Sequence, residues 1–304
     1  MTHKTDRGSN PPSLEGFMDL CDVKQIKNLL GRHGFQFSKA MGQNFLTAAW
    51  VPQKIAEASG LDESGAVLEI GPGIGCLTVQ LSKKAGKVVA VELDRSLEPV
   101  LSETLAHLEN TEVIFGDVLK LDLKKLAEQH MMGFAKKPIV CANLPYNITS
   151  PAIAALIDAK VFGAMTLMVQ REVAKRICAK PGTADYGAFT VYVNMYTEPE
   201  ILFDVSPACF MPQPKVWSSV ISLRVRDKPK AELLDEAMFF KVVRSAFNQR
   251  RKTLVNALAS GLEGYSKERL MEIVVSCGHD KMVRGEKLDI HEFSKIANTI
   301  SKSG

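Results

Sequence analysis

The stretch VLEIGPGIGCLT, residues 67–78, decides the fold class of this chain. A short apolar run typical of a buried strand is followed at once by clustered glycines and then by a helical pattern. Glycines at such a turn let the backbone pass close to a ligand near the helix N-terminus, so Gly71 and Gly73 are candidate ligand-binding residues. Sites for NAD, FAD and S-adenosylmethionine all use this kind of turn. The spacing G-x-G-x-G, with no Gly-Lys-Ser/Thr after it, excludes a P-loop.

Strand and helix patterns alternate on the carboxyl side of this turn. Such alternation predicts an α/β fold with a mostly parallel sheet covered by helices on both faces. Helices are also predicted near residue 23 and over 48–59. We predict strands over 66–70, 88–92, 113–115, 139–142 and 165–169, and helices over 75–84, 97–108, 122–131 and 151–159.

The pattern changes beyond residue 186. Three β-rich segments, 189–195, 201–205 and 216–225, precede a polar linker at 226–231, and four helical patterns without strands follow, over 235–248, 251–259, 267–277 and 291–301. We therefore predict a polar N-terminal tail (1–21), a Rossmann-like domain (22–226) and a small all-α C-terminal domain (235–304).

Composition limits the class of protein. Hydrophobic residues make up 46% of the chain and charged residues 24%, as in ordinary globular proteins. No apolar run reaches membrane-spanning length, and the polar N-terminus resembles neither a signal nor a transit peptide, so we expect a cytoplasmic protein without a membrane partner. The six cysteines and six histidines are scattered, without C-x-x-C or H-E-x-x-H spacing, so we expect reduced thiols and no metal site.

The net charge of +4 identifies no partner by itself. Its distribution says more, because residues 227–304 hold 14 Lys and Arg against 11 Asp and Glu. The densest basic cluster is Arg244, Arg250, Arg251 and Lys252. A solvated helix surface and a nucleic-acid footprint both remain open interpretations at this point.

Two carboxylates end the strands that follow the glycine turn. Glu92 closes the second predicted strand, where a carboxylate can accept hydrogen bonds from the ribose hydroxyls of an adenosine cofactor. Asp117 closes the third, where it can accept from an exocyclic adenine amine or merely cap a turn. Because the carboxyl ends of parallel strands meet at one edge, both should face one crevice with the glycines.

The fourth strand ends in Asn143, Leu144, Pro145 and Tyr146, a tetrapeptide similar to the signature of methyltransferases that act on a planar exocyclic amine. The Asn143 side-chain oxygen and the Leu144 carbonyl can accept the amino hydrogens, Pro145 orients that carbonyl, and Tyr146 can stack on the base. No general base with a tuned pKa is needed, because the amine loses its proton readily once it is methylated.

With these motifs and three others, the chain resembles the KsgA (RsmA) family of small-subunit ribosomal RNA adenine N6,N6-dimethyltransferases from about residue 22 to 300. The others are GQNFL (42–46), FMPQPKVWS (210–218) and AFNQRRKTL (246–254). The resemblance implies dimethylation of two adjacent adenosines in a hairpin loop near the 3′ end of 16S rRNA, within a precursor of the small subunit, by a monomer. It implies that S-adenosylmethionine is bound by Asn44, Leu46, Gly71, Glu92, Asp117 and Asn143.

Two alternatives stay open. An Erm-like 23S rRNA adenine methyltransferase, which confers macrolide resistance, shares the fold, but its acceptor motif is similar to N-I-P-Y, whereas this chain has Leu144. A catalytically silent RNA-binding relative would not need an intact acceptor motif. On the leading interpretation, Tyr146 and Phe210 hold the target base, and Arg244, Arg250, Arg251 and Lys252 contact RNA phosphates.

Overall fold

A computed structural model describes residues 18–37 and 42–303, so most of the predicted polar tail lies outside the described residues. Three short 3₁₀ helices occur at Arg95–Leu97, Pro207–Cys209 and Gly285–Lys287. The strands are β1 (Phe45–Leu46), β2 (Ala66–Ile70), β3 (Lys87–Glu92), β4 (Thr111–Phe115), β5 (Ile139–Asn143), β6 (Ala164–Gln170), β7 (Thr197–Val205), β8 (Phe210–Met211) and β9 (Ser218–Val225). The α-helices are α1 (Val23–Arg32), α2 (Trp50–Ala58), α3 (Cys76–Ser82), α4 (Glu98–Thr104), α5 (Leu123–His130), α6 (Thr149–Asp158), α7 (Arg171–Ile177), α8 (Ala188–Tyr196), α9 (Glu236–Asn248), α10 (Leu254–Gly261), α11 (Lys267–Ser276) and α12 (Ile290–Ser303).

The main sheet has seven strands in the order β4-β3-β2-β5-β6-β9-β7. Its first five strands are parallel, and β9 pairs antiparallel with both β6 and β7. The predicted mostly parallel α/β fold is thus confirmed. From β2 the chain adds β3 and β4 on one side, and it then returns to add β5 on the other side of β2. This reversal of strand order between β2 and β5 is where open α/β sheets bind ligands.

Burial explains why the predicted strands form. Every residue of β2 is buried, and helices cover both faces of the sheet, so apolar residues occupy both faces of this strand and only Glu69 departs from the pattern. Gly75, with φ +96°, is the N-cap residue of α3. A Cβ at Gly75 would lie 2.7 Å from Leu105 Cδ2, so only glycine lets α3 start this close to the chain after α4.

The predicted strand over 189–195 is wrong, because this segment forms helix α8. Its β-branched and aromatic residues favour a strand by local propensity. In the structure Val193 packs against the sheet, whereas Val191 and Met195 pack against the C-terminal helices. A helix buried on two sides shows no amphipathic period, so tertiary packing overrode the local signal.

Two short strands that the sequence did not reveal form a second sheet. β1 and β8 pair antiparallel, with Phe45 opposite Met211 and Leu46 opposite Phe210. Strands of two residues carry no periodic pattern. Their pairing holds the segment before α2 against the segment before β9, and so fixes residues 42–46 beside the carboxyl edge of β2 and β5.

The C-terminal helices α9 to α12 share one apolar core, which includes the fully buried rings of Phe239 and Phe293. The helix predicted from residue 251 begins instead at Leu254, because the Thr253 side chain accepts a hydrogen bond from Asn256 N and caps it. Residues 251 and 252 therefore lie in the turn between α9 and α10. Among the described helices, none is long and apolar enough to cross a membrane.

Candidate active site

The carboxyl ends of β2, β3, β4 and β5 open into one crevice. Every residue that the sequence assigned to cofactor binding or catalysis lines it. These are Asn44, Leu46, Gly71, Gly73, Glu92, Asp117, Asn143, Leu144, Pro145 and Tyr146. They come from five separate segments of the chain. The fold thus brings together residues that lie as much as a hundred positions apart in the sequence.

The glycine turn forms one wall of the crevice. Gly71 and Gly73 have φ angles of +68° and +61°, a region that side chains with a Cβ rarely adopt. A Cβ on Gly73 would lie 3.1 Å from the Phe45 ring, and one on Gly71 would lie 3.9 Å from the Pro145 ring. The missing side chains leave the backbone open for close approach by a ligand.

Glu92 is held by backbone amides at both of its oxygens. Oε2 accepts from Gly73 N at 3.2 Å and Oε1 from Asp94 N at 2.9 Å. Burial raises the pKa of this carboxyl, and the two amide donors oppose that rise. Each carboxylate oxygen can accept more than one hydrogen bond, so Glu92 keeps acceptor capacity for two neighbouring hydroxyls.

Asp117 lies two residues after the end of β4 and stabilises the turn there. Its Oδ1 accepts from Leu119 N at 3.0 Å, and its Oδ2 lies 3.5 Å from Lys120 Nζ. The structure therefore shows Asp117 as a capping residue of this turn, one of the two roles that the sequence left open. The side chain also lines the crevice, where it can accept a further hydrogen bond.

The acceptor tetrapeptide is fixed at the end of β5. Asn143 Nδ2 donates to the Asn44 carbonyl at 3.3 Å, an orientation that leaves the side-chain oxygen as the group able to accept. Leu144 N donates to the Met168 carbonyl at 3.1 Å, and Thr149 Oγ1 donates to the Pro145 carbonyl at 3.2 Å. The backbone that carries the acceptor groups is thus tied to β6 and to the start of α6.

Tyr146 is positioned by a residue that the sequence analysis did not single out. Its hydroxyl lies 2.8 Å from Ser218 Oγ, and Ser218 is fully buried at the start of β9. Burial raises the pKa of Tyr146, so its phenol stays neutral near pH 7. The last residue of FMPQPKVWS therefore holds the ring of the acceptor motif, and the proximity of these two motifs was not apparent from their spacing.

Two further crevice residues were missed by the sequence analysis. Gln43 donates to Asp94 Oδ2 at 2.6 Å and so ties the 42–46 segment to the end of β3. Glu69 is 1% exposed on β2, and within the described chain its Oε2 has no hydrogen-bond partner. A carboxyl inside an otherwise apolar strand was the available signal for Glu69.

These groups fit S-adenosylmethionine. Glu92 can accept hydrogen bonds from the ribose hydroxyls, and Asp117 can accept one from the adenine amine. The glycine turn lets the ligand pass close to the backbone. Glu69 also lines the crevice, and within the described chain its Oε2 has no hydrogen-bond partner, so it can accept from a protonated or amino group of a ligand. Burial raises the pKa of Glu69 to about 8, as expected for a carboxyl that lacks such a partner.

The remaining candidates lie outside the crevice. Phe210 is 4% exposed and pairs with Leu46 in the small sheet, so its predicted contact with the target base stays a prediction. Arg250 Nε lies 3.0 Å from Glu286 and its Nη2 donates to the Thr183 carbonyl at 3.0 Å, which joins α9 to the loop before α8. Three other basic candidates are exposed and form no ion pair with any residue in the described ranges: Arg244, Arg251 and Lys252.

Comparison with known proteins agrees with this geometry. The family model of ribosomal RNA adenine dimethylase matches residues 34–302. The chain is 44% identical to ribosomal RNA small subunit methyltransferase A of Alkaliphilus oremlandii over 92% of this chain and 97% of that protein. A crystal structure of a dimethyladenosine transferase from Plasmodium falciparum has a TM-score of 0.71 and 26% identity, covering 85% of this chain and 98% of its own. The 23S rRNA methyltransferase ErmE has a TM-score of 0.63 and 26% identity, covering 85% of this chain and all of its own.

The matched segment contains the glycine turn, the acceptor tetrapeptide and the C-terminal helices, and the resemblance seen in the motifs is confirmed. With a crevice whose donors and acceptors suit S-adenosylmethionine, the chain belongs to the ribosomal RNA adenine dimethylase family of S-adenosylmethionine-dependent methyltransferases.

Proposed function

We propose that this enzyme transfers methyl groups from S-adenosylmethionine to N6 of two adjacent adenosines in a hairpin loop near the 3′ end of 16S rRNA. The reaction belongs late in the biogenesis of the small ribosomal subunit, with a precursor of that subunit as the substrate particle. The observation that carries the proposal is the position of Asn143, Leu144, Pro145 and Tyr146. They share one crevice with Glu92 and Asp117 and lie at the point where strand order reverses.

The chemistry assigned to the acceptor motif follows from the amine. The lone pair of an adenine N6 is delocalised into the ring, which makes it a poor nucleophile. The Asn143 side-chain oxygen and the Leu144 carbonyl can accept its two hydrogens and favour the tetrahedral geometry in which the lone pair is available. Acceptors placed in advance for charge that develops in the transition state are a strong source of catalysis.

S-adenosylmethionine supplies an electrophilic methyl carbon. The protein must present N6 to it, exclude water and let the proton leave after transfer. Tyr146, fixed by Ser218, provides a flat surface for the purine, and the buried apolar side chains under the crevice exclude water. The proton can leave to solvent, because a methylated aminium is acidic, so no residue is assigned as a general base.

The relatives favour the small subunit over the two alternatives. The Alkaliphilus protein is named for the small subunit and is 44% identical, whereas the 23S rRNA methyltransferase ErmE is 26% identical. Leu144 stands where the Erm-like motif has isoleucine. The intact and hydrogen-bonded acceptor motif argues against a silent relative.

We assign the RNA-binding role to the domain over 235–304, with the Rossmann-like domain over 22–226 carrying the chemistry. Arg244, Arg251 and Lys252 are exposed, as phosphate contacts require, while Arg250 also braces the loop before α8. A monomer is the state that the family resemblance implies, and a ribosomal substrate supports a cytoplasmic location.

The test uses small and large ribosomal subunits that lack these methyl groups. We expect tritiated methyl groups to enter the small subunit alone, and mass spectrometry of the digested RNA to show two adjacent N6,N6-dimethyladenosines. Transfer to the large subunit would replace the proposal with the Erm-like alternative. Cofactor binding without transfer to either subunit would favour the silent relative.

An Asn143→Ala variant is the internal control for this test. It should lose transfer while its urea unfolding curve stays close to that of the parent protein. Sedimentation of the enzyme, alone and with the subunit, measures the expected monomer directly.

A further inference from the structure

An exposed aromatic side chain lies one residue before Ser218, the serine that contacts Tyr146, and beside a cation. Trp217 is 43% exposed, and the Arg171 guanidinium lies 5.4 Å from the centre of its ring. Arg171 N also donates to the Trp217 carbonyl at 2.9 Å, so backbone and side chain are both held. A large ring that is fixed yet left open to solvent is a surface ready for stacking.

The position of this pair relates it to the acceptor site. Trp217 directly precedes β9, and Arg171 directly follows β6, where Gln170 is opposite Ser218. Ser218 in turn contacts the Tyr146 hydroxyl at 2.8 Å. Trp217 is therefore one residue away from the contact that positions the proposed base-stacking ring.

The charge around Trp217 suits RNA. Arg171 brings a guanidinium to the ring, and Lys215 is exposed in the same loop. Proteins that hold single-stranded nucleic acid combine aromatic rings, on which bases stack, with basic groups that track the backbone. A base taken out of its stack to enter a crevice leaves its neighbour unstacked, and that neighbour gains from a new partner.

We infer that Trp217, braced by Arg171, stacks on the base of the nucleotide adjacent to the adenosine held at Tyr146. This inference rests on the proposed function and adds a second base subsite to it. The subsite contributes to holding the RNA loop and makes no contact with the reacting atoms. It should thus affect binding of the RNA more than the rate of transfer once the RNA is bound.

The first experiment compares Trp217→Ala with Trp50→Ala in steady-state methylation of unmethylated small subunits. Trp50 is a matched control, since it is 46% exposed on α2, which contributes no residue to the crevice. Removal of one stacking ring predicts a KM about 5- to 150-fold higher for Trp217→Ala, with kcat within about threefold of the parent value. Trp217→Phe should recover most of the affinity, because phenylalanine also stacks, and Trp50→Ala should match the parent.

The second experiment observes the ring itself. The chain has two tryptophans, so a Trp50→Phe protein reports on Trp217 alone. Titration with a synthetic RNA hairpin that has two adjacent adenosines in its loop should quench this fluorescence. Two further hairpins carry an abasic site next to the target adenosine, one on its 5′ side and one on its 3′ side. One of these two hairpins should fail to quench the Trp217 fluorescence, because it lacks the base that stacks on the ring.

The outcomes separate the two proposals. Absence of methylation by the parent enzyme would refute the proposed function. Methylation with an unchanged KM in Trp217→Ala would leave that function standing and overturn the subsite. A raised KM without quenching by the hairpin would also overturn it, because Trp217 would then contact a ribosomal protein or serve only to stabilise the fold.

Discussion

The hydrogen bond between Tyr146 and Ser218 allows a quantitative test of the acceptor site. Ser218 is fully buried, and in the described chain its hydroxyl has Tyr146 as its one hydrogen-bond partner. Tyr146→Phe leaves that hydroxyl unpaired, which should lower the free energy of unfolding by about 1–3 kcal/mol. Replacing both partners removes the unpaired group. The double variant with Ser218→Ala should therefore be more stable than the sum of the single changes predicts, by about 1 kcal/mol.

The measurement is a double-mutant cycle from urea unfolding of the cofactor-free protein. Ser219→Ala is a matched control, since Ser219 is also fully buried on β9 but donates to Asp204 Oδ1 at 2.6 Å instead. It should destabilise the protein by a similar amount without coupling to Tyr146→Phe. A coupling energy below about 0.5 kcal/mol for Tyr146 and Ser218 would refute the hydrogen bond as a positioning contact.

Activity distinguishes the ring from its hydroxyl. If Tyr146 stacks on the target base, Tyr146→Phe should keep most of the single-turnover methylation rate. Tyr146→Ala should bind the RNA about 5- to 150-fold more weakly, the usual effect of removing one stacking ring. Equal effects in the two variants would assign the role to the hydroxyl and contradict stacking.

Four further results are expected. Asn143→Ala should lower the single-turnover methylation rate, because it removes a few kcal/mol of transition-state stabilisation, and it should also weaken cofactor binding. A decrease in that rate of less than threefold would exclude Asn143 from the acceptor site. Glu92→Ala should weaken S-adenosylmethionine binding by roughly 1.5–3 kcal/mol in calorimetry while RNA binding stays unchanged. Burial raises the pKa of Glu69 to about 8. In the cofactor-free protein, the protonated form of Glu69 therefore adds to the free energy of unfolding below about pH 4.5, and this contribution is lost as the pH rises through 8. The free energy of unfolding of Glu69→Gln, relative to that of the parent protein, should increase over the same pH range. Arg251→Ala with Lys252→Ala should flatten the salt dependence of particle binding by roughly 0.7–0.9 for each RNA phosphate that the protein no longer neutralises, and an unchanged slope in the folded variant would exclude both residues from the RNA surface.

The central sheet and the crevice could be predicted from sequence because their signals are local. Each of three buried strands combines an apolar run with a residue that has a special backbone or chemical role. β2 is followed by Gly71, β3 ends in Glu92 and β5 ends in Asn143. Parallel strands then bring their carboxyl ends together whatever the sequence between them. The predicted crevice residues were thus found in one place without knowledge of any contact.

The parts that could not be predicted depend on contacts between distant segments. Helix α8 carries strand-favouring residues and is decided by packing on two sides. Ser218 meets Tyr146 only because β9 inserts between β6 and β7. The turn position of Arg251 depends on the cap at Thr253, whereas the sequence pattern predicted that the helix begins at residue 251.

The small sheet of β1 and β8 has a consequence for the order in which the enzyme matures during its synthesis. It pairs Phe45 with Met211, about 165 residues apart in the chain. Closing so long a loop without other structure costs roughly 4–5 kcal/mol, more than two short strands can return, so this pairing must follow assembly of the large sheet. A nascent chain that has not yet exposed β8 can form the glycine turn, but it holds the segment that carries Asn44 and Leu46 only through contacts to residues near the ends of β3 and β5. Cofactor capture should therefore reach full affinity only after about two thirds of the polypeptide has left the ribosome that makes it.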